Sequence, residues 1–319
     1  MNTTMKTVIV EPNALGRLAL KDVDAPSPRP WETLVRVSAI SLNRGEVRRA
    51  QSAEAGWRPG WDLAGTVERA AADGSGPPAG ARVVGLLASG AWAELAAVPG
   101  DALAVLPASV SLSQAATLPV AGLTALLALE KGRAVFGGAV LITGASGGVG
   151  HFACQLAHHT GARVVGAVRQ PKYVDIVKAS GADHVVVGDD AAAAREFGPY
   201  DLILDSVGGR TLGNALSMLA SNGICVNFGS SAAPEVTFSM RDMFLTGGTS
   251  LYGFYLFHEL RGVSASSALA RLTRLVGRGQ LVPHIDVEAP WTEIGDLATR
   301  LIERRFAGKA VLRVEHRER

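Results

Sequence analysis

The stretch Ala139-Val-Leu-Ile-Thr-Gly-Ala-Ser-Gly-Gly-Val-Gly150, continued by His151-Phe-Ala-Cys-Gln-Leu-Ala-His-His-Thr-Gly161, decides the fold. Four apolar residues and a threonine predict a buried strand, and the glycines that follow predict a tight turn. Val149, Phe152, Ala153, Leu156 and Ala157 then recur at the i, i+3, i+4 spacing of one buried helix face, which Gly161 ends. Strand, glycine turn and helix in unbroken succession form a dinucleotide-binding unit. Glycine lets the backbone approach a pyrophosphate, and the first helical turn offers it unpaired N–H groups and a partial positive charge. The pattern Ala145-x-Gly147-x-x-Gly150 departs by one residue from G-x-G-x-x-G. Ala145, Ser146, Gly147, Gly148 and Val149 are therefore the candidate pyrophosphate residues.

A second strand, Arg163-Val-Val-Gly-Ala-Val168, ends where such chains discriminate between cofactors. A chain that binds NAD places Asp or Glu there, roughly 20 residues past the glycines, to hold the ribose 2′-hydroxyl. Here the sequence reads Val168-Arg-Gln-Pro-Lys-Tyr173, with no carboxylate before Asp175. Two cations suit a 2′-phosphate, which Arg binds through paired hydrogen bonds, so Arg169 and Lys172 point to NADPH. The alternative reading is that both merely solubilise a loop.

At 319 residues the chain exceeds what one ordinary hydrophobic core supports, so two domains are expected. A net charge of +2, from 31 basic and 29 acidic residues without a basic cluster interleaved with aromatics, argues against a nucleic-acid partner. No apolar run is long enough for a membrane span, and the N-terminus shows no signal-peptide core, so a cytoplasmic location is expected. Cys154 and Cys225 each lie inside an apolar element and read as small buried core residues.

The first third of the chain carries short alternating strands between Pro/Gly turns: Thr7–Val10, Leu34–Val37, Ala64–Val67, Arg82–Gly85 and Trp92–Leu95. From Leu112 onward strand and helix alternate, with strands near 139, 163, 184, 201 and 224 and helices near Leu212–Ala220 and Ala268–Val276. That alternation predicts a doubly wound parallel sheet. The closing segment Gly308-Lys-Ala-Val-Leu-Arg-Val314 returns to a strand and could rejoin the β domain, making that domain discontinuous.

These segments carry a family likeness. In order they are Ser41-Leu-Asn43, Pro59-Gly-Trp-Asp-Leu-Ala-Gly65, Gly80-Ala-Arg-Val-Val-Gly85, Gly90-Ala-Trp-Ala-Glu94, Ala115-Ala-Thr-Leu-Pro-Val-Ala-Gly-Leu-Thr-Ala125, the glycine turn, Gly181-Ala-Asp-His184, Asp201-Leu-Ile-Leu-Asp-Ser-Val-Gly-Gly209 and Gly308-Lys309. Over essentially its whole length the chain resembles the zinc-independent, quinone oxidoreductase-like branch of the medium-chain dehydrogenase/reductase superfamily. The resemblance implies an α/β protein in which a discontinuous GroES-like β domain (1–116 and 280–319) accompanies a Rossmann-like domain with a doubly wound parallel sheet (117–279). It also implies a cleft for NADPH and a homodimer. Where zinc-dependent relatives carry Gly-His-Glu this chain has Gly60-Trp61-Asp62, and no cysteine precedes Cys154, so no metal is expected. A tyrosine common in the branch is replaced by Arg48.

Without a metal, or any Ser-His-Asp or paired-carboxylate arrangement, the cofactor must carry the chemistry while protein groups orient the acceptor. A small conjugated molecule, an enone or quinone, takes hydride at carbon and develops charge on oxygen, so a donor is required. Family position places Asn43 near the nicotinamide as that donor; the alternative is a turn-stabilising Asn. Arg48 either supplies positive charge or is a solvated surface residue. Family position also carries Thr124 to the nicotinamide side, against the reading of a core threonine. Asn227-Phe-Gly-Ser230 ends a strand at the carboxyl edge of the sheet, so Phe228, Gly229 and Ser230 are cofactor candidates. Tyr252-Gly-Phe-Tyr255 should be a nearby strand, with Gly253 and Phe254 contributing main-chain contacts and a dimer edge. Trp57, Trp61, Trp92 and Tyr252 are candidate walls of a substrate pocket, although aromatics are more often core. The leading expectation is an NADPH-dependent reductase of a conjugated acceptor. A biosynthetic reductive cyclase and a non-catalytic NADPH-binding sensor are the alternatives.

Overall fold

The computed structural model describes residues 4–132 and 136–316. The chain forms two compact units, one running to Leu123 and resuming at Leu260, the other Thr124–Glu259. The expected boundaries, after 116 and 279, thus fall at different points. The reason is packing: one turn of π-helix at Leu118–Gly122 lies on strands of the first unit, and so does helix Ala265–Gly277.

The first unit contains β1 (Thr4–Val10), β2 (Leu18–Asp24), β3 (Glu32–Ser41), β4 (Asp62–Arg69), β5 (Arg82–Leu86), β6 (Leu95–Pro99) and β7 (Leu103–Val105). In the second unit lie β8 (Ala139–Thr143), β9 (Arg163–Val168), β10 (His184–Val187), β11 (Tyr200–Asp205), β12 (Leu219–Asn227) and β13 (Ser250–Gly253). β14 (Ile285–Pro290) and β15 (Lys309–Arg313) return to the first.

In the first unit the sheet runs β14-β15-β3-β4-β5-β7, with β6 also pairing β3, while β1 and β2 form a separate hairpin. The closing segment therefore does rejoin the β domain, β15 running antiparallel to β3. Alternating burial along β3 sends Val35 and Val37 into a core that also holds Ile40, Leu63, Trp92 and Trp291. Two expectations shift here. The strand placed at Trp92–Leu95 begins only at Leu95, and Trp92 sits in the preceding loop with its side chain fully buried.

In the second unit the six strands are all parallel, in the order β10-β9-β8-β11-β12-β13. The central β8 is buried at every position, as a strand covered on both faces must be. Helix Gly148–His159 packs back on β8 and β9. The helix expected at Leu212–Ala220 is shorter, Gly209–Leu216, because Leu219 already opens β12. Cys154 and Cys225 are fully buried and free. Burial pushes the Cys154 thiol up to about 12, and burial followed by the nearby Asp205 charge pushes Cys225 well up. No helix among the described residues is long and apolar enough to cross a membrane.

Candidate functional site

Two clusters of functional groups stand out, one in each unit. In the second unit the glycine turn follows β8 at the point where the strand order reverses direction, between β8 and β11. Outside the carboxyl ends of the strands at such a switch point, open α/β sheets bind their ligands. The cap of helix Gly148–His159 is Gly147, which has no side chain to satisfy the first-turn amide groups. Those groups remain available to an anion. At Gly150 a Cβ would lie 2.5 Å from the Gly144 carbonyl oxygen, so only glycine lets the helix start this close to the turn. A Cβ on Gly229 would stand 2.9 Å from the Ser206 carbonyl oxygen, which keeps that loop tight on the sheet edge. These are the features of a cradle for a dinucleotide, and the residues present fit one.

Beyond β9, Arg169 and Lys172 are both exposed, the latter with its ammonium 4.9 Å from the Tyr173 ring centroid. The Tyr173 hydroxyl is buried with no hydrogen-bond partner among the described residues. Phe228, Gly229 and Ser230 follow the end of β12, while Gly253 ends β13 and Phe254 is buried just beyond it. Thr124 is buried in helix Leu123–Glu130. Tyr252 does not open a pocket wall with its hydroxyl: that group donates to Glu259 Oε1 at 2.6 Å, while Lys131 Nζ lies 2.6 Å from Glu259 Oε2.

Asp205, at the end of β11, is the residue that sequence reasoning missed in this unit. Its fully buried carboxylate accepts from Thr143 Oγ1 at 2.5 Å, Gly208 N at 2.9 Å and Asn227 Nδ2 at 2.7 Å. The one available signal was an acid closing the apolar run Leu202-Ile-Leu204.

In the first unit the buried polar cluster is built on Asp62. Its Oδ2 accepts from Ser41 Oγ at 2.6 Å and Asn43 Nδ2 at 2.7 Å, and lies 3.3 Å from Lys309 Nζ; its Oδ1 accepts from Val120 N at 2.9 Å. Three chain segments, at 41–43, 120 and 309, are thus fastened to one carboxylate. Glu46 completes the cluster, its Oε1 accepting from Asn43 N at 2.8 Å and Asn43 Nδ2 at 2.9 Å and its Oε2 from Trp61 N at 2.7 Å. Burial, then the Asp62 charge, hold the Glu46 carboxyl well above its ordinary range, against the opposing pull of Lys309 and Asn43. Glu46, Asp62 and Lys309 carried no individual role in the sequence reading, since single charged residues on amphipathic elements give no sign of burial.

Asn43 caps helix Arg44–Ser52 in a reciprocal capping box with Glu46. Both its amide hydrogens are engaged by Glu46 and Asp62, and its Oδ1 accepts from Lys309 Nζ at 2.7 Å. The expectation of a free amide donor is therefore corrected in favour of the turn-stabilising alternative. Arg48 lies exposed on the same helix. Among the pocket candidates, Trp92 is removed by its complete burial, Trp57 is half-buried beneath the Arg49 guanidinium at 4.7 Å, and Trp61 is half-buried against Gly45 with its indole N–H donating to Ala88 O. No three His, Cys, Asp or Glu side chains among the described residues are grouped to hold a metal ion. His158 and His159 are exposed at a helix end.

These features define an oxidoreductase of the medium-chain dehydrogenase/reductase class. The alcohol dehydrogenase GroES-like domain family matches residues 29–108, and the zinc-binding dehydrogenase family matches 148–272. The quinone oxidoreductase of Sus scrofa is 31% identical over 254 residues, 75% of this chain and 76% of that protein. A segment of the polyketide synthase GfsB of Streptomyces halstedii is 38% identical over 153 residues, 47% of this chain and 3% of that protein. The structure of mycobacterial Rv1454c complexed with NADPH superposes with a TM-score of 0.87 at 26% identity, covering 97% of this chain and 99% of that one. The chain belongs to the quinone oxidoreductase-like family of the medium-chain dehydrogenase/reductase superfamily.

Proposed function

We propose that this protein is an NADPH-dependent oxidoreductase that delivers hydride to a conjugated acceptor, an enone, quinone or polyene carbonyl, without zinc. The observation that carries the reading is the glycine cradle with its uncapped helix at the switch point of the sheet, flanked by exposed Arg169 and Lys172 where an NAD-binding chain carries an acid. The NADPH-complexed neighbour supports the same choice of cofactor. When bound, NADPH supplies the hydride. The chain's own residues do the rest: the first-turn amides of Gly148 and Val149 hold the pyrophosphate, and Arg169 and Lys172 hold the 2′-phosphate. The backbone of Phe228, Gly229, Ser230, Gly253 and Phe254 orients the ring.

Reduction places charge on the acceptor oxygen, and a cationic or N–H donor must meet it there. Arg48 is the candidate donor. Asn43 acts through it, since it caps the helix that carries Arg48, and Trp57 and Trp61 supply apolar surface on the same unit. Trp61 replaces a metal-ligating histidine of zinc-dependent relatives, so no step runs through a metal. The likeness to the polyketide synthase segment favours a second, biosynthetic reading in which ring closure follows hydride addition. Deuterium from C4-labelled NADPH should appear on the carbon β to the carbonyl of an enone, with turnover unaffected by chelator. Deuterium at the carbonyl carbon would assign a different reaction, and tight NADPH binding without turnover of any conjugated acceptor would favour a sensor.

A homodimer belongs to the same proposal. Among the described residues β13 is the edge strand of its sheet, and Leu251 on it and Met240, Phe244 and Leu245 on helix Met240–Thr246 are exposed apolar residues. An unpaired strand edge beside exposed apolar side chains is suited to pairing with a second copy.

A further inference from the structure

We infer that Asp205 is a positioning residue of the dinucleotide crevice whose buried negative charge favours the oxidised, cationic nicotinamide over the reduced, neutral one. The inference rests on the dinucleotide reading above and goes beyond it by assigning an electrostatic bias to a residue outside the glycine motif.

Thr143 is the last residue of β8 and Asp205 the last of β11, so their 2.5 Å hydrogen bond spans the two strands between which the sheet reverses its order. That is the floor of the crevice in which such sheets bind ligands. The second carboxylate oxygen accepts from Gly208 N and from Asn227 Nδ2, and Asn227 Nδ2 also donates to Gly229 O at 2.8 Å. One carboxylate therefore holds together the ends of β8, β11 and β12 and the loops that leave them.

Its charge is not cancelled locally. Asp205 is fully buried, its three partners are neutral donors, and no cation among the described residues pairs with it. A charge in that setting is poorly screened, and its field reaches neighbours such as the Cys225 thiol. Phosphates of a bound dinucleotide repel it equally in both redox states. The nicotinamide ring is cationic only when oxidised, so the charge acts on the ratio of the two affinities. Its sign favours release of hydride, the direction a reductase needs.

The test is calorimetric titration of NADP⁺ and NADPH into the full chain, its Asp205→Asn and Thr143→Val variants, and Asp201→Asn as a control. Asp201 accepts from Ala139 N at the opposite, amino ends of the same two strands, and its variant should leave the ratio of affinities unchanged. In Asp205→Asn the amide oxygen can keep the Gly208 and Asn227 bonds while the Thr143 hydroxyl turns to accept, so charge is lost with little change in shape. The ratio Kd(NADP⁺)/Kd(NADPH) should rise about threefold to tenfold. Thr143→Val keeps the charge, and the ratio should stay or fall. Equal weakening of both forms in Asp205→Asn, or no change in either, overturns the inference. So does a rise of the ratio in Thr143→Val, which decides the matter alone if Asp205→Asn does not fold. Failure of the wild-type chain to bind either form overturns the dinucleotide reading itself, an outcome distinct from the others.

Discussion

Asn43 donates its side-chain amide to Asp62 Oδ2 at 2.7 Å, and the same nitrogen donates to Glu46 Oε1 at 2.9 Å. The residue that a sequence reading would make a donor to substrate is thus wholly engaged inside the protein. Replacing it leaves two buried carboxylates and the Lys309 ammonium short of a partner and removes a helix cap. Asn43→Ala should destabilise the fold by about 2–4 kcal/mol. Urea unfolding followed by circular dichroism measures this, and a loss within experimental error would show that the network contributes nothing to stability.

Glu46 gives the fold a pH dependence of defined sign. Its folded pKa lies above the ordinary carboxylate value, so the folded state retains the proton to higher pH than the unfolded chain. Its contribution is fully present below the unfolded pKa and is lost as pH rises through the raised folded value. Glu46→Gln removes that titration, although its amide meets the Trp61 N–H with a donor and lowers the stability at acid pH. Melting temperatures between about pH 5 and about pH 8 should fall less steeply in the variant than in the wild type. Parallel curves would mean that Glu46 stays ionised throughout.

The two thiols should be inert while the fold is intact. Cys154 is pushed up to about 12 and Cys225 also upward, and both side chains are fully buried. The thiolate is the reactive form, and neither site supplies it or admits a reagent. At neutral pH a chromogenic disulfide should report no rapidly reacting thiol in the native protein and both in guanidinium. A fast native reaction at either would contradict the burial described here.

Selectivity for the 2′-phosphate should reside in Arg169. Arg169→Ala should weaken NADPH binding about tenfold to a hundredfold, the range for one charge-assisted contact, with little effect on NADH. Calorimetry with both cofactors checks it. A wild-type preference for NADH would refute the assignment of this loop.

Association through the open edge of β13 is tested by Phe244→Asp, which places a charge at a side chain 66% exposed in the single chain. Light scattering should find a dimer in the wild type and monomers in the variant. A monomeric wild type would remove the proposal.

By itself the sequence determined the class of fold. The period of two in the first third, the strand–glycine–helix succession at 139–161 and the apolar run at 308–314 are local patterns, and each reports which face of one element is buried. Residues whose role is set by their own backbone were legible for the same reason, among them the turn glycines and the buried Cys154 and Cys225. Tertiary structure alone decided what the charged residues do. Asp62 gathers Ser41, Asn43, Val120 and Lys309 from three segments, and Asp205 gathers Thr143, Gly208 and Asn227 from the ends of three strands and their loops. No periodicity encodes such meetings, because they depend on strand order and register between segments as far apart as Asn43 and Lys309. The same holds for Trp92, an aromatic that could as well have walled a pocket and whose neighbours in space make it core. Hydrophobic patterning is additive along the chain, whereas the pairing of buried charges is not, and only the folded arrangement determines which partner each one meets.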